Sequence, residues 1–126
     1  MNKILIIDDE RDMAQFVADI CQTKNFDTTV VTTASEAIKA INDSSDYLGA
    51  VLDIVMPDVD GIELVQALGD EHPNIPVVLM SGYADSYLDA ASILGKAHGV
   101  NIVGQLSKPF SVEDLVPFLD KIQLAS

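Results

Sequence analysis

Five short apolar runs recur along the chain, separated by longer mixed stretches. Within each run the hydrophobic positions are continuous rather than alternating, which is typical of strands covered on both faces of a parallel sheet. The run DTTVV is more polar than the others, which favours an edge position. The predicted strands are 3–7, 27–31, 48–53, 75–80 and 100–106.

The stretches between these runs have the pattern of amphipathic helices. Apolar residues recur at steps of three and four, so that one face of each helix is buried. In the last helix Pro117 falls near the sixth position, beyond the turn in which proline is tolerated. That helix is therefore either kinked or begins after Ser111. The predicted helices are 10–23, 34–42, 61–69, one within 84–97 and one within 111–124.

The alternation of strands and helices predicts five βα units. Because strand–helix–strand crossovers are right-handed in almost all proteins, the helices should cover both faces of the sheet. The expected fold is a doubly wound α/β domain. No repeat, low-complexity segment or linker divides the chain, so we expect one domain over 1–126.

Composition and charge narrow the classes of function. Hydrophobic residues make up 48% of the 126 residues, which is enough for a core, and the formal net charge is −13. Nucleic acids and anionic membranes both attract cationic surfaces, so neither is an expected partner. The lone cysteine, Cys21, excludes an internal disulfide and is expected in the core. With no signal-peptide pattern and no apolar run of about 20 residues, a cytoplasmic protein is expected.

Polar residues follow the predicted strands at the edge where an open parallel sheet binds its ligands. Asp8 and Asp9 follow the first strand, Asp53 ends the third, Ser81 follows the fourth and Lys108 follows the fifth. If the first and third strands are neighbours, the three aspartates converge on a small volume. Any one of them could instead simply cap the next helix.

Converging carboxylates repel one another, and burial raises the cost. Two kinds of group could offset that cost. A hard divalent cation such as Mg²⁺ prefers oxygen ligands, and Lys108 lies beside the same sheet edge.

At this point the chain resembles the receiver domain of two-component response regulators. The resemblance covers essentially the whole chain, and it implies a flavodoxin-like (βα)5 fold with a five-stranded parallel sheet in the order 2-1-3-4-5. The matching motifs are IIDDE (6–10), LDIVMPDVDGIEL (52–64), VVLMSGYA (77–84) and SKPF (107–110).

The resemblance also implies roles for the residues at the strand ends. Asp53 would be the phosphoacceptor, whose carboxylate attacks a phosphohistidine to give an acyl phosphate. Mg²⁺ would be the cofactor, bound by Asp9, by Asp8 directly or through water, by Asp53, and by the backbone carbonyl of Val55. The chain would thus be a self-catalysing phosphoacceptor rather than a turnover enzyme.

Two further residues would bind the phosphoryl group. Lys108 would pair with a phosphoryl oxygen, and its peptide bond to Pro109 is usually cis in this family. Ser81 would donate its hydroxyl and so change the surface around the fourth helix, fifth strand and fifth helix. The implied partners are a sensor histidine kinase or a phosphotransfer protein, an output domain, and a second copy in a phosphorylation-dependent dimer.

The chain departs from the family pattern at three places. Gln105 stands where many members carry the aromatic residue of the switch. The segment 94–106 is longer than in compact receivers. Its sequence is similar to that found in receivers fused to EAL-type phosphodiesterases. Val55, two residues after the acceptor, cannot orient an attacking water, which predicts a long-lived phospho-form.

Three other functions compete with this interpretation. A haloacid-dehalogenase-like phosphatase needs a general acid at Val55, which cannot transfer a proton. A flavodoxin-like FMN module needs a phosphate-cradling loop where Asp8 and Asp9 stand. A pseudo-receiver that acts only as a protein-binding module remains the principal alternative.

Overall fold

The computed structural model describes residues 2–43, 46–56, 59–82 and 85–125. Strands and helices alternate along it as the hydrophobic pattern predicted. The elements are β1 (Lys3–Ile7), α1 (Arg11–Thr23), β2 (Asp27–Val31), α2 (Ala34–Asn42), β3 (Tyr47–Asp53), α3 (Gly61–Glu71), β4 (Pro76–Ser81), α4 (Asp85–Ala97), β5 (Asn101–Ser107) and α5 (Val112–Leu124).

The five strands form one parallel sheet in the order β2-β1-β3-β4-β5. The predicted strand order and the predicted edge position of β2 are therefore confirmed. β1 and β3 are neighbours, with Ile7 opposite Leu52. The chain segments that follow these two strands consequently leave the sheet side by side.

Two apolar cores cover the two faces of the sheet, because successive strand residues point to opposite sides. In β1, Leu5 and Ile7 belong to one core, which includes residues of α2, α3 and α4. Ile4 and Ile6 belong to the other core, which includes residues of α1 and α5. Cys21 is fully buried in this second core, as expected. Among the described residues no helix is long and apolar enough to cross a bilayer.

A short antiparallel ladder, which the hydrophobic pattern did not predict, lies between β3 and α3. It joins Val55–Met56 to Val59–Asp60. The Asp60 carboxylate then accepts a hydrogen bond from the Ile62 N–H at 3.0 Å and caps α3. Gly61 does not adopt the positive φ that a turn would require. Glycine is needed because a Cβ there would overlap the backbone of Ile54.

Helix α5 begins directly after Ser111 and contains Pro117. Of the two alternatives for this helix, the later start is wrong. The Asp114 carboxylate accepts a hydrogen bond from the Ser111 N–H at 2.9 Å, which fixes the first turn. Pro117 lies on the exposed side, where water can satisfy the carbonyl that proline leaves without a helical donor.

Candidate functional site

The carboxyl ends of β1, β3, β4 and β5 surround an open pocket of about 590 Å³. Side chains that follow different strands meet there because parallel strands end at the same edge of the sheet. The pocket is lined by Asp9, Glu10, Asp53, Val55, Met56, Gly82 and Lys108.

The Lys108 ammonium group is the centre of the polar network in this pocket. Its Nζ lies 2.8 Å from Asp8 Oδ2, 3.0 Å from Asp53 Oδ2 and 3.2 Å from Glu10 Oε1. The side chains of Asp8 and Asp53 are 0% and 4% exposed, and that of Glu10 is 64% exposed. The lysine therefore joins two buried carboxylates to one at the surface.

The second oxygen of each buried aspartate is held by the backbone. Asp8 Oδ1 accepts from the Glu10 N–H, and Asp53 Oδ1 accepts from the Val55 N–H, both at 2.9 Å. Neither bond caps a helix, because Glu10 precedes the first residue of α1 and Val55 lies in no helix. The capping alternative therefore does not hold for Asp8 or Asp53. Their other oxygens converge on one cation, which capping would not explain.

Burial and charge act against each other on Asp53. Burial raises the pKa of its carboxyl to about 6, although hydrogen bonds from the Val55 N–H and from Lys108 act to lower it. For Lys108, burial acts to lower the pKa, but the hydrogen bonds and charges of Asp8 and Asp53 outweigh burial and raise it above its ordinary value. Lys108 stays charged, and Asp53 is mostly ionised at neutral pH.

The donor set of the pocket suits a hard cation. One oxygen each from Asp8, Glu10 and Asp53 lie within 4.8 Å of one another. These residues bring three negative charges to a site with one lysine, so an excess of negative charge remains. Carboxylate oxygens without sulfur or imidazole favour Mg²⁺ or Ca²⁺. The residues present therefore fit a divalent metal.

Two of the predicted metal ligands, Asp9 and Val55, lie outside the cluster formed by Asp8, Glu10 and Asp53. Asp9 is exposed and lines the pocket, but it is not one of the three clustered acids. Val55 also lines the pocket, and its N–H is engaged by Asp53. The metal role of Asp9 and of the Val55 carbonyl stays a prediction.

Ser81 and Lys108 are joined through the backbone. Ser81 is fully buried at the end of β4, opposite Ser107 of β5, and its carbonyl accepts from the Lys108 N–H at 2.8 Å. The peptide bond between Lys108 and Pro109 is cis, as the resemblance implied.

The residues considered for the switch are only partly described. Gln105 lies within β5 opposite Leu79, in the place of the usual aromatic residue. The Tyr87 hydroxyl lies 3.4 Å from Asp60 Oδ1. Tyr83, which follows Ser81 and is a further candidate for the switch from the sequence, lies outside the described residues, as do Pro57 and Asp58 of the loop after the acceptor.

Glu10 is not among the site residues predicted from the sequence, and its contact with Lys108 was not expected. A signal was present, because three consecutive acids follow β1 while few basic residues exist to balance them. What the sequence could not supply is the direction of the Glu10 side chain. That direction follows from the tertiary contact with Lys108.

Comparison with known proteins agrees with this geometry. A family model described as "Response regulator receiver domain" matches residues 4–120. The transcriptional regulatory protein CpxR of Escherichia coli K12 is 33% identical over 116 residues, covering 92% of this chain and 47% of CpxR. The response regulator receiver protein CpdR of Brucella abortus is 29% identical over 126 residues. That alignment covers 100% of this chain and 100% of CpdR.

A solved structure shows the same fold. The response regulator protein TrrA of Thermotoga maritima, crystallised with Mg²⁺-BeF, has a TM-score of 0.80 at 22% identity, covering 97% of this chain and 99% of TrrA. The chain spans about half the length of CpxR, and neither curated relative supports an EAL-type output. Because the family model spans residues 4–120, which contain all four ordered motifs, the chain belongs to the response regulator receiver domain family.

Proposed function

We propose that this domain is a phosphorylation switch in which Asp53 accepts the phosphoryl group. The supporting observation is the Lys108 ammonium, which holds Asp53 Oδ2 at 3.0 Å beside an open pocket. The pocket admits a phosphoryl donor from solvent, while both oxygens of the Asp53 carboxylate are oriented. A carboxylate oriented in this way can act as a nucleophile without further rearrangement of the backbone.

The proposed transfer moves the phosphoryl group from nitrogen to oxygen. A carboxylate oxygen of Asp53 forms a bond to the phosphorus of a phosphohistidine, and the P–N bond breaks. The imidazole nitrogen keeps the electron pair of that bond, and the product is an acyl phosphate on Asp53. Because the pKa of Asp53 is raised only to about 6, the reactive carboxylate form predominates at neutral pH.

The roles of the other residues follow from charge. We assign Asp8, Asp9, Asp53 and the Val55 carbonyl to hold Mg²⁺, which when bound neutralises negative charge on the carboxylate and phosphoryl oxygens. Lys108 supplies a donor to a phosphoryl oxygen, and its short contacts with buried acids keep it in place.

The output surface is proposed to lie around α4, β5 and α5. Ser81 and Lys108 are directly linked, so a group that engages both would move the ends of β4 and β5 together. Movement of β5 would be passed on to α5, because Gly104 of β5 packs closely against Phe118 of α5. A Cβ on Gly104 would lie only 2.5 Å from the Phe118 ring. The same movement would be passed on to α4, because Gly95 of α4 packs closely against Ile102 of β5. A Cβ on Gly95 would lie 3.1 Å from the Ile102 side chain.

The proposed partners follow from this chemistry. A histidine kinase or a phosphotransfer protein would supply the phosphohistidine, and the receiver of a longer regulator would act on an output domain or a further partner. CpxR is named a transcriptional regulatory protein, and about half of its length lies outside the matched region. Because phosphohistidine is made at the expense of ATP, we place the domain in the cytoplasm.

The test is mass spectrometry after incubation with acetyl phosphate and Mg²⁺. The wild type should gain one phosphate, and Asp53→Asn should gain none. Asp12→Asn, which alters an exposed aspartate of α1, is the matched control and should gain one phosphate. An adduct on both the wild type and Asp53→Asn would exclude Asp53 as acceptor. An adduct on none would favour the pseudo-receiver.

A further inference from the structure

The hydrogen-bonding capacity of Lys108 is fully used before any phosphoryl group arrives. A lysine ammonium has three donor hydrogens. The three carboxylates of Asp8, Asp53 and Glu10 lie within hydrogen-bonding distance of its Nζ. A phosphoryl oxygen can therefore bind Lys108 only by displacing one of these carboxylates.

Glu10 is the carboxylate that is easiest to displace. Its contact with Lys108 is the longest of the three, at 3.2 Å, and its side chain is 64% exposed, so water can solvate it once it leaves. Asp8 and Asp53 are almost completely buried, and their release would leave a desolvated charge without its partner.

The position of Glu10 in the fold supports a specific role for this contact. Glu10 is the N-cap residue of α1, but its side chain makes no capping hydrogen bond to the helix. The carboxylate instead contacts a residue 98 positions away. The helix start therefore does not account for the direction of this side chain.

On the proposed function of Asp53 as phosphoacceptor, we infer that Glu10 is a displaceable placeholder for a phosphoryl oxygen on Lys108. In the unmodified domain its carboxylate occupies the third donor of the ammonium. A phosphoryl group on Asp53 takes that donor, and Glu10 is released to solvent. Glu10 thus opposes phosphorylation through its contact with Lys108.

Three variants separate the contact from the charge. Glu10→Gln removes the charge. Glu10→Asp keeps the charge but shortens the side chain by one methylene, so that it no longer reaches Lys108. Asp12→Asn removes a charge from the first turn of α1, and Asp12 is not among the described ion-pair partners of Lys108.

The first measurement is the initial rate of phosphate incorporation from acetyl phosphate with Mg²⁺. We expect Glu10→Gln to be faster than wild type by about threefold, the size of an exposed ion pair. Glu10→Asp should show most of this gain, and Asp12→Asn should match wild type. The gain of Glu10→Gln should shrink in high salt.

The second measurement is the affinity for Mg²⁺ alone, by calorimetry, without a phosphoryl donor. Glu10→Gln should bind Mg²⁺ with an affinity similar to that of the wild type. A slower reaction together with at least about tenfold weaker Mg²⁺ binding would make Glu10 a metal ligand and overturn the inference.

Failure of this inference is distinguishable from failure of the proposed function. If the wild type incorporates phosphate but Glu10→Gln is no faster, only the placeholder role is wrong. If Glu10→Asp stays at the wild-type rate while Glu10→Gln is faster, general charge repulsion replaces the contact and the inference fails. If the wild type incorporates no phosphate, the proposed function itself fails.

Discussion

Replacing the Asp53 carboxylate with an amide should stabilise the metal-free domain at neutral pH. Asp53 is buried, and burial is the main reason that its pKa rises from 3.8 to about 6. The proton is therefore held more tightly in the folded state than in the unfolded state. As the pH rises from 4 through 6, the folded domain has to give up that proton, and stability is lost.

The size of the effect follows from this difference. A pKa that rises from 3.8 to about 6 corresponds to a cost of ~3 kcal/mol at pH 7.5. The amide introduced by Asp53→Asn would avoid this cost but has a single acceptor oxygen for two donors, the Val55 N–H and Lys108. Leaving one donor without its partner costs ~1 kcal/mol. We expect Asp53→Asn to be more stable by ~1–2 kcal/mol at pH 7.5 and about equal to wild type at pH 4.5.

The stability difference at each pH is measured by urea unfolding in EDTA. Unfolding is followed by far-ultraviolet circular dichroism, because the chain contains no tryptophan for fluorescence. Asp89→Asn, on an exposed position of α4, controls for the loss of one surface charge. The reasoning would be refuted if Asp53→Asn were less stable than wild type at pH 7.5. It would also be refuted if the difference between them were the same at both pH values.

Further expected outcomes concern the neighbours of Asp53. Lys108→Met leaves two buried carboxylates without a cation, so urea unfolding in EDTA should show a loss of ~3 kcal/mol at pH 7.5. The loss should be smaller at pH 4.5, where protonation of Asp53 relieves part of it. Val55→Asn should shorten the half-life of the phospho-form, measured by mass spectrometry, whereas Val55→Ala should not. Gly61→Ala should lose ~3 kcal/mol on urea unfolding because its Cβ meets the Ile54 backbone, whereas Gly82→Ala, with open space around it, should be neutral.

Most of the fold could be predicted because each strand is a continuous apolar run and each helix repeats every three to four residues. The boundaries shifted by one or two residues, as at α3, which continues to Glu71 rather than ending at 69. The ladder at Val55–Met56 was not predictable, because two-residue strands carry no periodicity. The reason for Gly61 was also hidden, since a close approach to Ile54 depends on tertiary structure.

The site could be predicted only to the level of strand ends. Asp8, Asp53 and Lys108 converge because they follow β1, β3 and β5, and the order of strands came from the resemblance rather than from the hydrophobic pattern. Side-chain direction within the IIDDE motif cannot be read from residue types alone. Asp9 was named as a site residue and lines the pocket, whereas Glu10, which contacts Lys108, was not named.

The graded burial around Lys108 fixes the order in which its partners can leave. Asp8 and Asp53 lose solvation when they are buried, and the lysine compensates both, so removing the lysine contact from either is unfavourable. Glu10 is already solvated and loses little on release. An anion that enters the pocket therefore exchanges with Glu10 first, while the backbone bond from Lys108 to the Ser81 carbonyl keeps the lysine beside β4. On the proposed function, the ammonium would change one partner without changing its position, so that the same residue would stabilise the free site and bind the phosphoryl group.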